Sequence, residues 1–171
     1  MVYLITGASH TGKTLLAQRL LEKYKYPCLS IDHLKMGLIR SGQTALTPED
    51  DDALTEYLWP IVREMLRTAI ENEQSLIVEG CYVPANWRED LGEAYAKHVR
   101  FYCLAMTDAY IDAHFDEIRA HASEIEARLD DSACTPENLK ADNRAYLARF
   151  GKEAGLVRID GDYTRSLQAL L

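Results

Sequence analysis

Short apolar runs alternate along the chain with longer stretches of helical period. Val2 to Ile5 read as a buried strand, and Thr14 to Tyr24 (TLLAQRLLEKY) places its apolar residues on one helix face. Pro27 to Ile31 (PCLSI) predicts a second strand ending at Asp32, and HLKMGLIRSG then predicts a helix that stops at Ser41-Gly42. Thr47-Pro48-Glu49-Asp50 predicts the next helix start, with a capping threonine, proline in the first turn and acids at the positive end. Apolar residues from Ala53 to Ile70 then recur with a 3.6-residue period, with a kink expected at Pro60.

Ser75 to Val78 predicts a third strand that runs into Glu79-Gly80, and Val99 to Ala105 a fourth. Ile111, Phe115, Ile118, Ala122, Ile125 and Leu129 step by fours and threes, predicting a second long helix with a core-facing stripe. Thr135-Pro136-Glu137 opens another helix through about Lys152. Leu156 to Ile159 is the fifth strand, closed by Asp160-Gly161, and a terminal helix follows from Tyr163.

Buried strands alternating with helices predict an α/β fold of three layers, a five-stranded parallel sheet with helices on both faces. Ligands of such sheets bind at the carboxyl ends of the strands. Polar residues gather there: the loop after Ile5, Asp32, Glu79-Gly80 and Asp160-Gly161. With 171 residues and no linker or repeat, one domain spanning 1–171 is expected.

Composition narrows the function classes. A net charge of −8 argues against a general nucleic-acid binder, while leaving room for a local basic pocket around a small phosphorylated molecule. No apolar run is long enough to predict a membrane span, and no leader is expected, so the cytoplasm is the expected compartment. The four cysteines lie far apart, which fits reduced thiols. No surface stripe stands apart from what the core needs, so oligomeric state is left open.

The chemistry begins at residues 7–14, GASHTGKT. Gly7, Gly12, Lys13 and Thr14 satisfy the phosphate-cradling P-loop pattern, between a strand and a helix as that motif requires. Backbone amides from Gly7 to Leu15 (through Ala8, Ser9, His10 and Thr11) and the helix N-terminus would hold a nucleotide's phosphates. Lys13 would bridge the β- and γ-phosphates, and the Thr14 hydroxyl would meet Mg²⁺. His10 reads as loop filler rather than a base.

Three stretches together, the P-loop, SIDHLKMGLIR (30–40) and LIVEGCYVP (76–84), resemble the small P-loop kinases. These are the relatives of nucleoside monophosphate kinases, shikimate and gluconate kinases and zeta-toxin-like enzymes. The last stretch is most similar to 2-phosphoglycerate kinase-like proteins. The resemblance implies a P-loop NTPase fold with a helical lid near 112–136, ATP and Mg²⁺ as cofactors, and a small-molecule phosphate acceptor.

Residue by residue, Asp32 would meet the acceptor hydroxyl or the metal, with a helix cap as the alternative. Lys35 stands where many relatives carry arginine, and with Arg40 could hold an anionic acceptor. Glu79 could hold the metal's water or the acceptor, Gly80 would admit close backbone approach, and Arg88 is a further substrate candidate. Arg119 and Arg128 are the lid arginines that could reach the transferring phosphate. Two other functions fit the same residues: a nucleotide-binding switch without transfer, and a toxin-like kinase of nucleotide sugars.

Overall fold

In a computed structural model, which describes residues 1–122, 125 and 131–171, the strands form one sheet ordered β2-β3-β1-β4-β5. They are β1 (Val2–Gly7), β2 (Cys28–Ser30), β3 (Leu76–Glu79), β4 (Val99–Met106) and β5 (Leu156–Ile159). All four pairings are parallel, with Ile5 opposite both Glu79 and Tyr102, and Ser30 opposite Glu79. The helices are α1 (Lys13–Tyr24), α2 (Ile31–Arg40), α3 (Asp51–Glu71), α4 (Trp87–Leu91), α5 (Glu93–Ala96), α6 (Asp108–Ala120), α7 (Pro136–Arg149) and α8 (Tyr163–Gln168).

Alternation within β1 explains why its run is apolar throughout. Val2 and Leu4 point into a core with α2, α3 and α4, whereas Tyr3 and Ile5 point into a second core with α1, α6 and α8. Both faces are covered, so neither parity of the strand can be polar. Leu54, Leu58, Val62 and Leu66 form the buried stripe of α3. Burying each contributes about 1.5–3 kcal/mol before entropy is counted.

The helix after Leu46 begins later than its sequence suggests. Thr47 does not cap it: its N–H and hydroxyl both donate to Asp50 Oδ2, at 2.8 and 2.9 Å, in a turn that precedes Asp51. The helix then runs through Pro60 without a break. The stripe from Ile111 also ends early. His114 has φ −126°, outside the helical range, and α6 stops at Ala120. Ile125 is exposed and Leu129 lies outside the described residues. Thr135 caps α7 as expected, its Oγ1 accepting from Asn138 N at 3.2 Å. The four cysteines form no disulfide, and among the described residues no helix is long and apolar enough to cross a membrane.

Candidate functional site

The loop from Gly7 to Thr14 joins the carboxyl end of the central strand to the first turn of α1. Gly12 is the N-cap of that helix with φ 84°, a left-handed conformation that favours glycine. The loop closes on itself: Thr11 Oγ1 donates to Ala8 O at 2.7 Å, and Lys13 Nζ to the same oxygen at 2.8 Å. Lys13 is buried, and burial works against its charge. Cys81, Glu79 and Asp32 outweigh that penalty and raise its pKa, so it stays a cation.

Glu79 ends β3 beside β1 and is only 2% exposed. Its Oε2 accepts from Thr14 Oγ1 at 3.4 Å, a long hydrogen bond. A hydroxyl and a carboxylate this close form the hard-oxygen pair that Mg²⁺ prefers, so these two residues fit the ion. Gly80 follows with φ 157°, and a Cβ there would meet Ile31 Cβ at 2.7 Å. The first turn of α2 can therefore pack onto the end of β3 only against glycine.

Asp32 lies two residues beyond Ser30, the β2 partner of Glu79. Its Oδ1 is 2.8 Å from Lys35 Nζ, one helical turn on. Lys35 also donates to Tyr82 Oη at 2.8 Å, and Tyr82 donates to Asp51 Oδ1 at 3.2 Å. Burial alone would lower the Lys35 pKa, but hydrogen bonds to Asp32 and Tyr82 raise it. Lys13, Thr14, Asp32, Lys35, Glu79 and Gly80 thus share one end of the sheet.

Three expected residues are placed elsewhere. Arg40 is exposed in the last turn of α2, about 12 Å along the helix from Asp32. Arg88 stacks on Trp87 and donates to Glu153 Oε2 at 2.9 Å. Glu153 precedes the amino end of β5, so Arg88 faces the end of the sheet opposite the phosphate loop. Arg119 is exposed, its guanidinium 5.9 Å from the Phe115 ring centroid. Arg128 lies outside the described residues, as does part of the expected lid.

A cavity of about 340 Å³ opens beside the loop, lined by Lys13, Thr14, Arg19, Tyr110, His121 and Tyr163 among others. Leu15, also on its wall, is one helical turn from Arg19. That spacing is a local signal for Arg19, and Tyr163 lies two residues beyond the Asp160-Gly161 strand end. Two further contacts had no local signal. Ser9 N donates to Asp142 Oδ2 at 2.8 Å, and His10 Nε2 lies 2.9 Å from Asp131 Oδ1.

The sequence matches the AAA domain family over residues 2–133. No curated protein matches it. Solved structures share the fold at low identity. A gluconokinase from Sinorhizobium meliloti 1021 is 15% identical with a TM-score of 0.55, covering 99% of this chain and 92% of that one. An unliganded sugar kinase from Janibacter sp. HTCC2649 is 17% identical with a TM-score of 0.58, covering 99% and 91%. A shikimate kinase from Aquifex aeolicus is 14% identical with a TM-score of 0.53, covering 99% and 93%. The architecture is therefore the α/β fold of P-loop small-molecule kinases.

Proposed function

The chain belongs to the AAA domain family, and from that premise and the site geometry we propose an ATP- and Mg²⁺-dependent phosphotransferase for a small anionic acceptor. The acceptor would offer a hydroxyl or phosphate, as 2-phosphoglycerate or a nucleoside monophosphate does. Residues 1–171 would act as one domain, with a lid near 112–136. The observation that carries this reading is the gathering of Lys13, Thr14 and Glu79 with the Asp32–Lys35 pair at one end of a parallel sheet.

Chemistry follows from those groups. Lys13 would leave Ala8 O for the transferring phosphate, and Thr14 and Glu79 would hold Mg²⁺, which neutralises charge on the phosphates. Asp32 would accept the proton of the acceptor hydroxyl as its oxygen bonds to the γ-phosphorus and the bond to ADP breaks. Lys35, ion-paired and a firm cation, would hold the acceptor's anionic group as a point charge. The test is Mg²⁺-dependent ADP release against phosphoglycerates, nucleoside monophosphates, sugar acids and nucleotide sugars. Support is an acceptor that stimulates wild type and not Lys13→Ala.

The Ser9–Asp142 contact favours a second reading, a nucleotide-binding switch. A phosphate taking the Ser9 amide would release Asp142 and with it the grip of α7 on the loop. ATP binding with no stimulation by any acceptor would bring that reading forward.

A further inference from the structure

We propose that His10, Asp131 and Cys134 form a binding site for a thiophilic divalent cation, with zinc the best match to the donors. One ligand atom from each residue lies within 4.8 Å of the other two. The three come from two places: the phosphate loop, and the turn that leads into α7. His10 takes φ 62°, a left-handed conformation uncommon outside glycine, and its imidazole is 4% exposed. Cys134 N donates to Asp131 O at 3.0 Å, a turn that brings the carboxylate and the thiol to the same flank. Thr135 then caps α7 directly behind them.

Imidazole nitrogen, carboxylate oxygen and thiolate sulfur are zinc's usual protein ligands, and three with a water complete a tetrahedron. Bond lengths of 2.0–2.3 Å at tetrahedral angles place ligand atoms roughly 3.4 Å apart. The 2.9 Å His10–Asp131 pair would therefore open by about 0.5 Å, and the thiol, within 4.8 Å of both, would close by at most about 1.4 Å. His10 Nδ1 is 3.0 Å from Ser9 Oγ. That bond would orient the ring with Nε2 toward the metal, the outer contact that zinc-binding histidines ordinarily have. The oxygen pair at Thr14 and Glu79 suits a hard cation instead, so the two sites select different metals. Occupancy would tie the start of α7 to the phosphate loop beside its Ser9–Asp142 contact.

The test is a Co²⁺ titration of the full chain, followed by competition with Zn²⁺ against a chromophoric chelator. The expected result is one equivalent bound with a thiolate-to-cobalt charge-transfer absorption. Cys134→Ser should abolish that band and weaken Zn²⁺ about tenfold or more, as should His10→Asn, with unchanged circular dichroism. Cys28→Ser, at an exposed cysteine, should keep both. Cobalt bound without the band, or Zn²⁺ held equally by wild type and Cys134→Ser, would overturn the proposal. The readout involves neither ATP nor acceptor, so its failure is separable from failure of the proposed transfer.

Discussion

Asp142 accepts a 2.8 Å hydrogen bond from the backbone amide of Ser9, 133 residues earlier, inside the loop proposed to hold phosphate. A carboxylate there competes with the anion. Removing its charge while keeping its shape should tighten nucleotide binding. Asp142→Asn is expected to raise ATP affinity about threefold to tenfold, the scale of one ordinary hydrogen bond. Calorimetric titration with a non-hydrolysable ATP analogue reads it. Weaker binding by the variant would mean that Asp142 organises the loop instead.

Tyr163 closes over the same loop from the other side. A Cβ at Gly12 would fall 1.8 Å from Tyr163 Oη, on a residue whose φ is already 84°. Gly12→Ala should therefore lose at least about 1 kcal/mol of stability. Adding Tyr163→Phe should restore the part due to the hydroxyl and leave the backbone part. Thermal melts of the two variants separate the terms, and wild-type melting of Gly12→Ala would refute the packing.

Asn143 shows how α7 is fastened to the sheet. It is fully buried, its Oδ1 accepting from Met106 N at 2.7 Å and its Nδ2 donating to Leu139 O at 2.8 Å. Asn143→Leu would leave the Met106 amide buried without that acceptor, at a cost of about 1–3 kcal/mol. A denaturant midpoint unchanged from wild type would show that another acceptor takes over.

The Lys35–Tyr82 pair sets an alkaline limit. Burial, above all, pushes the Tyr82 phenol up to about 12, despite the opposing pull of Lys35. Between about pH 10 and 12 the unfolded chain loses this proton while the fold keeps it, so stability falls as pH rises. The raised Lys35 pKa acts in the same direction: its contribution is full below about 10.4 and is lost as pH climbs through the folded value. Denaturant midpoints across that window should drop less steeply in Tyr82→Phe. Equal slopes would remove Tyr82 from the account of alkaline unfolding.

The strands and the phosphate loop were legible because their causes are local. A strand buried on both faces must be an apolar run, and a loop that cradles phosphate needs glycine and lysine at fixed spacing. Glu79, at the end of β3, and Asp32, just past the end of β2, could be named as candidates because ligands of parallel sheets bind at the carboxyl ends of the strands. The start of α3 was misread because Thr47 satisfies a capping pattern while Asp50 binds it in a separate turn. Tertiary pairing was not legible at all. Arg88 carries no mark in its own neighbourhood that Glu153 will hold it, nor Ser9 that Asp142 will. Arg19 is not among the residues the sequence pointed to, although it lies one helical turn beyond Leu15 on α1, the last residue expected to hold phosphate.

Transfer itself is followed most directly with γ-labelled ATP and the acceptor that most stimulates ADP release. The wild-type protein, Lys13→Ala and Asp32→Asn would be compared with and without Mg²⁺. Label should enter the acceptor only with wild type and Mg²⁺, while Asp32→Asn still binds ATP and keeps its fold. Label released solely as inorganic phosphate, or Asp32→Asn transferring at the wild-type rate, would contradict phosphoryl transfer at the Asp32 end of the sheet.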